Sequence, residues 1–201
     1  MALVNRRNAI LEAAVDLFAE NGFSATPTMA IAKRADVAEG LIFHYFKNKK
    51  GILMHILDDI YALYARELEN ILDRPVSGLR MIEEMTICHF ALRERKKREF
   101  QVLVRDIPSG IMNPDTPEYK KITRHINHLM DVFRQAILRG QNDGSIRSSS
   151  PDEMTLVIRG ALLGISNLSQ RLCREPDYGR LSTAVTAFIR RGIDSGTEDS
   201  E

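Results

Sequence analysis

Two histidines three residues apart, His125 and His128, with Asp131 three further on, have a spacing that lets one helical face hold a metal ion. No second ligand motif accompanies them, so they read as pocket or surface residues and no metal or cofactor is assigned. A metal-dependent helical-bundle enzyme built on the pair stands as a rival class. Cys88 and Cys173 lie in apolar helical surroundings and read as buried thiols. Arg93, Arg95, Lys96, Lys97 and Arg98 form a basic run. It reads either as a solvated helix junction or as a contact for an anionic effector. No nucleophile motif, Gly-rich phosphate loop or Cys-pair pattern occurs, so no catalytic residue is assigned and an enzyme is not expected.

A denser pattern lies between Thr26 and Met54. Thr26 suits a helix N-cap and Pro27 the first helical position, where a missing N–H costs nothing. Ile31, Ala32 and Ala35 form a small apolar stripe, Asp36-Val37 breaks it, and a second short helix is predicted from about Ala38 to Phe46. Two short helices at a sharp angle, with small residues where they cross, make a helix-turn-helix, whose second helix enters a DNA major groove. That helix offers Ala38, Glu39, Leu41, Phe43 and His44 outward or half outward, with Ile42, Tyr45 and Phe46 as candidates for the inward side.

The ordered set Gly22-Phe23, Thr26, Ile31-Ala32, Ala35-Asp36-Val37, Gly40, Ile42-Phe43, Tyr45-Phe46 and Lys49 resembles the head of the TetR/AcrR-type bacterial regulators over about residues 5–55. The resemblance implies a transcriptional regulator, usually a repressor, that binds a pseudo-palindromic double-stranded operator as a homodimer and is released by a small molecule. It also implies DNA contacts at positions matching Thr26, Phe43, His44 and Lys49. The candidate DNA-binding set is therefore Thr26, Thr28, Ala38, Glu39, Leu41, Phe43, His44, Lys47 and Lys49. Lys49, in the first turn of a helix whose dipole disfavours cations there, is expected to meet phosphate. Two positions depart from the family: Phe43 lacks the phosphate-binding hydroxyl of the usual Tyr, and Met29 offers only apolar contact, as with a thymine methyl. Ala38-Glu39-Gly40 and Phe46-Lys47-Asn48-Lys49-Lys50 are similar to fatty-acyl-sensing members, which makes fatty acyl-CoA a candidate effector.

The elements that must position these residues are all helical. Hydrophobic periodicity predicts helices over about 5–21, 48–72, 76–94, 99–107, from Asp115 or Thr116 to Arg139, 152–173 and 177–191, besides the two of the helix-turn-helix. The expected fold is all-α with about nine helices. A three-helix DNA-binding head over 1–47 precedes a ligand-binding and dimerisation body over 48–194, with a disordered acidic tail over 195–201. The helix over 48–72 is the expected rigid link between head and body. Met85, Phe90, Leu103, Met112, Met130 and Phe133 are candidate walls of a small hydrophobic effector's pocket. Gly160, Gly164, Leu168, Val185 and Phe188 are the candidate dimer interface, read from two closing helices with apolar stripes.

The net charge is only +1, so DNA contact must come from a local patch. Residues 1–50 carry seven Lys or Arg against five Asp or Glu, including Arg6 and Arg7 at the first helix's start. No signal peptide and no uncharged run long enough to cross a bilayer is read, so a cytoplasmic protein with no membrane partner is expected. A DNA-binding protein of the same family controlled by a protein partner is the other alternative.

Overall fold

The computed structural model describes the backbone of residues 2–105, 111, 113–172 and 176–196, and the side chains of all of these except 2–5, 103–105 and 170. Among the described residues there are nine helices: α1 Ala2–Asn21, α2 Thr28–Arg34, α3 Gly40–Phe46, α4 Lys49–Leu72, α5 Gly78–Arg95, α6 Lys97–Arg105, α7 Pro117–Asn142, α8 Pro151–Leu172 and α9 Tyr178–Ile193. The all-helical expectation holds. No described helix is long and apolar enough to cross a membrane. The predicted end of the sixth helix at Ile107 and the Pro108-Ser109-Gly110 stop lie outside the described residues, as do Cys173 and the acidic residues 197–201.

The chain packs as two compact units, Met1–Ala62 with Lys96–Thr123, and Leu63–Arg95 with Arg124–Glu201. The first unit is thus larger than the expected 1–47 head. α4 and α7 both run across the divide, so α4 is not the sole continuous element joining the units.

The first unit closes around Ile10, Ala14 and Phe18 of α1, Ile31 and Ala32 of α2, Ile42 and Phe46 of α3, and Ile52, Leu53 and Leu57 of α4. Val102, Ile111 and Ile122 complete the same core, and α6 packs on α1. Gly22 ends α1 at a φ of 87°, its N–H returning to the Phe18 carbonyl, as a left-handed helix stop requires. The α2 start differs from expectation. Pro27 is the flanking residue and Thr28 the first helical one. Thr26 instead turns inward, donating its hydroxyl to the carbonyls of Gly22 and Leu17. α4 begins with a cap the sequence reading passed over, Asn48 Oδ1 accepting from Gly51 N–H at 2.8 Å.

In the second unit α9 packs along α5. α5 starts at Gly78 because Asp143 and Ser145 receive the N–H groups of Gly78 and Leu79. Thr116, rather than Asp115, caps α7 through its hydroxyl to Tyr119 N–H. Asp177 caps α9 by accepting from Arg180 N–H. Of the expected tail over 195–201, only Ser195 and Gly196 lie among the described residues. Ile146 and Asp194 form a β-bridge, and Ser195 N–H reaches the Ser145 carbonyl. Arg93 and Arg159, polar by type, are buried in this unit.

Candidate nucleic-acid interface

The helix-turn-helix is held in shape by features that its sequence specifies locally. Asp36, at a φ of 53°, reverses the chain between α2 and α3. Thr28 donates to Glu39 Oε1 at 2.6 Å, tying the start of α2 to the start of α3. That bond occupies one oxygen of the Glu39 carboxylate, a member of the candidate DNA-binding set. Ile42 and Phe46 are buried, whereas Phe43 and Met29 stand 51 % and 68 % exposed. Ala38, Gly40, His44 and Lys47 are exposed beside them, Leu41 is half-buried against the core, and Thr28 is half-buried at the edge. A solvent-facing Phe and Met on the two crossing helices have no role in holding this unit together. Exposed apolar side chains on such a pair of helices are able to meet base edges and thymine methyls.

Two sequence expectations fail here. Thr26 is buried and spends its hydroxyl on two carbonyls, so its side chain is no DNA contact. Lys49 is turned inward. Its ammonium donates to the carbonyls of Phe23 (2.8 Å), Thr26 (2.9 Å) and Ser24 (3.3 Å) and lies 4.5 Å from the Phe23 ring centroid. It therefore staples the 23–26 loop rather than a phosphate. Arg7, at the start of the first helix, rests against His55 Nδ1 at 3.2 Å and over the Phe46 ring. Burial, then the Arg7 charge, pushes the His55 pKa below its ordinary value. Arg6 stays exposed.

A measurable consequence follows for Lys49. Three charge-assisted bonds to a loop are worth about 2–3 kcal/mol together after solvent screening. Lys49→Met should lower stability by about that much in urea melts while leaving the salt slope of DNA binding unchanged. Were Lys49 bound to phosphate in each of two subunits, the same substitution would instead reduce the slope by about 1.8.

The other predicted sites fall as follows. Met85, Phe90 and Phe133 are buried in the second unit and Met130 is half-buried there. The Leu103 side chain and Met112 lie outside the described residues, in the segment belonging to the first unit. Of the six, Phe90 lines a groove of about 410 Å³ with Ile87, Ala91, Glu94 and Tyr178. Gly160, Gly164, Leu168 and Phe188 are exposed, whereas Val185 is buried within its own chain and cannot form an outer contact. The basic run does not act as one patch: Arg93 is buried, while Arg95 pairs with Glu67, Lys96 with Glu99 and Arg98 with Asp16. Cys88 donates its thiol to Glu67, and burial with that carboxylate raises its pKa to about 12. His128 pairs with Glu69 at 2.8 Å. Among the described residues no three His, Cys, Asp or Glu side chains converge as a metal site.

A half-exposed second helix, braced across a tight turn by the helix before it, defines a helix-turn-helix DNA-binding protein. The sequence profile described as bacterial regulatory proteins, tetR family, matches residues 10–56. The fatty acid metabolism regulator protein of Bacillus subtilis (strain 168) is 32 % identical over 180 residues, covering 90 % of this chain and 81 % of that one. The HTH-type protein YttP of the same organism is 42 % identical over 66 residues, about a third of each chain. In structure, the transcriptional regulator FadR from Bacillus subtilis in complex with stearoyl-CoA superposes with a TM-score of 0.79 at 23 % identity, over 93 % of this chain and 99 % of that one. The chain belongs to the TetR family and is a DNA-binding transcriptional regulator.

Proposed function

We propose that the protein is a cytoplasmic, non-enzymatic homodimeric repressor. It leaves a pseudo-palindromic operator when a small hydrophobic effector, with fatty acyl-CoA as the candidate, binds its 48–194 body. The helix-turn-helix, within residues 1–47, presents Met29, Ala38, Phe43, His44 and Lys47 to the major groove. The observation that carries this reading is a pair of exposed apolar surfaces that the described residues of their own chain leave uncovered. One is the Met29 and Phe43 face of the helix-turn-helix. The other is the stripe of Leu156, Val157, Leu168 and Leu172 on α8 and Phe188 on α9. The first suits a DNA groove; the second suits a copy of itself, since two-fold operators call for two-fold proteins. The effector class rests on likeness to a fatty acid metabolism regulator and to a regulator solved with stearoyl-CoA.

The test is fluorescence anisotropy on an operator obtained by in vitro selection, with and without stearoyl-CoA. Tight two-fold binding that the acyl-CoA releases is the expected result. Binding unchanged by the acyl-CoA sinks the effector class, and selection of a site without two-fold symmetry sinks the dimer reading.

A further inference from the structure

The second unit holds a charge that none of its described residues neutralises. Arg159 of α8 is 4 % exposed. A guanidinium does not deprotonate in proteins, so it is charged where it sits. Among the described residues no carboxylate pairs with it. Its Nη1 donates to the neutral Tyr64 hydroxyl at 3.0 Å, and its Nε has no partner among the described residues. Isolated buried charge is strongly disfavoured unless something of opposite sign meets it.

The surroundings hold this guanidinium in a fixed pose. It lies over the Tyr64 ring at 5.4 Å and the Phe133 ring at 5.2 Å. Because Arg159 can only donate, Tyr64 accepts from it and donates its own O–H to His89 Nδ1, 3.0 Å away. His89 therefore carries its ring proton on Nε2 and donates to Ser166 Oγ at 2.8 Å. Burial first, and then the charges of Arg159 and Arg93, hold His89 well below its ordinary pKa, so it stays neutral. Burial raises Tyr64 to about 12, so it also supplies no negative charge at neutral pH. With Nη1 engaged by Tyr64, Nε is the guanidinium group left without a partner among the described residues, and the edge that bears it is the kind that receives a carboxylate or phosphate as a planar fork.

We propose that Arg159 is the anion receptor of the effector site, binding the oxyanion of an amphiphile whose apolar part lies along the Phe133 side. This rests on the effector-responsive reading above and adds to it the charge class of the ligand. The bonds at stake are charge-assisted, so their loss is read as a change of about tenfold or more in Kd.

The test is calorimetric titration of the full-length protein with three probes below their micelle concentrations: dodecanoate, dodecyl phosphate and dodecanol. The expected result is that at least one oxyanion binds about tenfold or more tightly than the alcohol, and which of the two does so separates carboxylate from phosphate recognition. Arg159→Met should abolish that preference. Arg159→Lys, which keeps the charge but not the fork, should retain only part of it. Equal binding of dodecanol and both anions to the wild type overturns the proposal, whatever the fate of the variants, and so does a preference that survives Arg159→Met. The same probes are then added to the operator complex. Anion-selective binding without DNA release overturns the repressor reading and leaves Arg159 as receptor. Release by charged and neutral probes alike overturns the receptor and leaves the repressor reading in place.

Discussion

Gly164→Leu should give a monomer in sedimentation velocity and weaken operator binding by about a hundredfold or more, the avidity lost when two linked half-site contacts become separate. Gly164 lies on the exposed face of α8, and a Cβ there meets nothing within 4 Å of its own chain. Leucine is also favoured over glycine inside a helix by about 0.8–1 kcal/mol. The folded subunit should therefore tolerate the change, and any loss of assembly reports a neighbouring molecule. One turn further along α8 Leu168 is exposed, and on α9 Phe188 is 74 % exposed. A dimer that persists with unchanged affinity would move the interface to another surface.

Gly51→Val should unfold the first unit's recognition end, lowering stability by about 3 kcal/mol or more in urea melts and abolishing operator binding. Gly51 lies in the first turn of α4, and a Cβ at that position would overlap the Phe46 carbonyl oxygen at the end of α3. Backbone, not a yielding side chain, opposes the added group, so the usual overpacking cost of about 1–3 kcal/mol is a lower bound. The gain in helix propensity from losing glycine is too small to offset it. Gly192→Ala is the control, since a Cβ there meets nothing within 4 Å. It should leave stability unchanged or slightly raised. If Gly51→Val melts like the wild type, the close approach of α3 and α4 is not a constraint on this unit.

The all-helical fold and the outward face of α3 were legible because each is written in apolar spacing. Ile42 and Phe46 inward with Phe43 and His44 outward is a statement about helical period, and it needs no tertiary information. What could not be read is where long or small side chains go once the helices meet. Lys49 was placed by its position at a helix start, but its flexible stem lets the ammonium reach back to three carbonyls of the 23–26 loop. Thr26 looked like a cap and became a brace. Arg93 and Arg159 are polar letters in a sequence pattern and buried groups in the structure, because rings of Tyr64 and Phe133 and the hydroxyl of Tyr64 receive the one on α8. α6 was assigned to the body by its place in the chain, yet it packs on α1.

The first unit's core is also assembled out of sequence order. Val102, Ile111 and Ile122 are part of it, and residues 63–95 of the other unit are made in between. On the ribosome, the first 62 residues must wait for a further stretch of about sixty before their apolar face is fully covered, roughly 3–12 s at 5–20 residues per second. Through that interval the nascent head exposes parts of α1 and α4, the condition under which a chaperone that recognises apolar segments competes with folding. The head of this regulator is consequently not a module that matures first and waits for its sensor. Its completion is timed by synthesis of the body, so a chain that stalls before residue 122 leaves the recognition helices on an unfinished core.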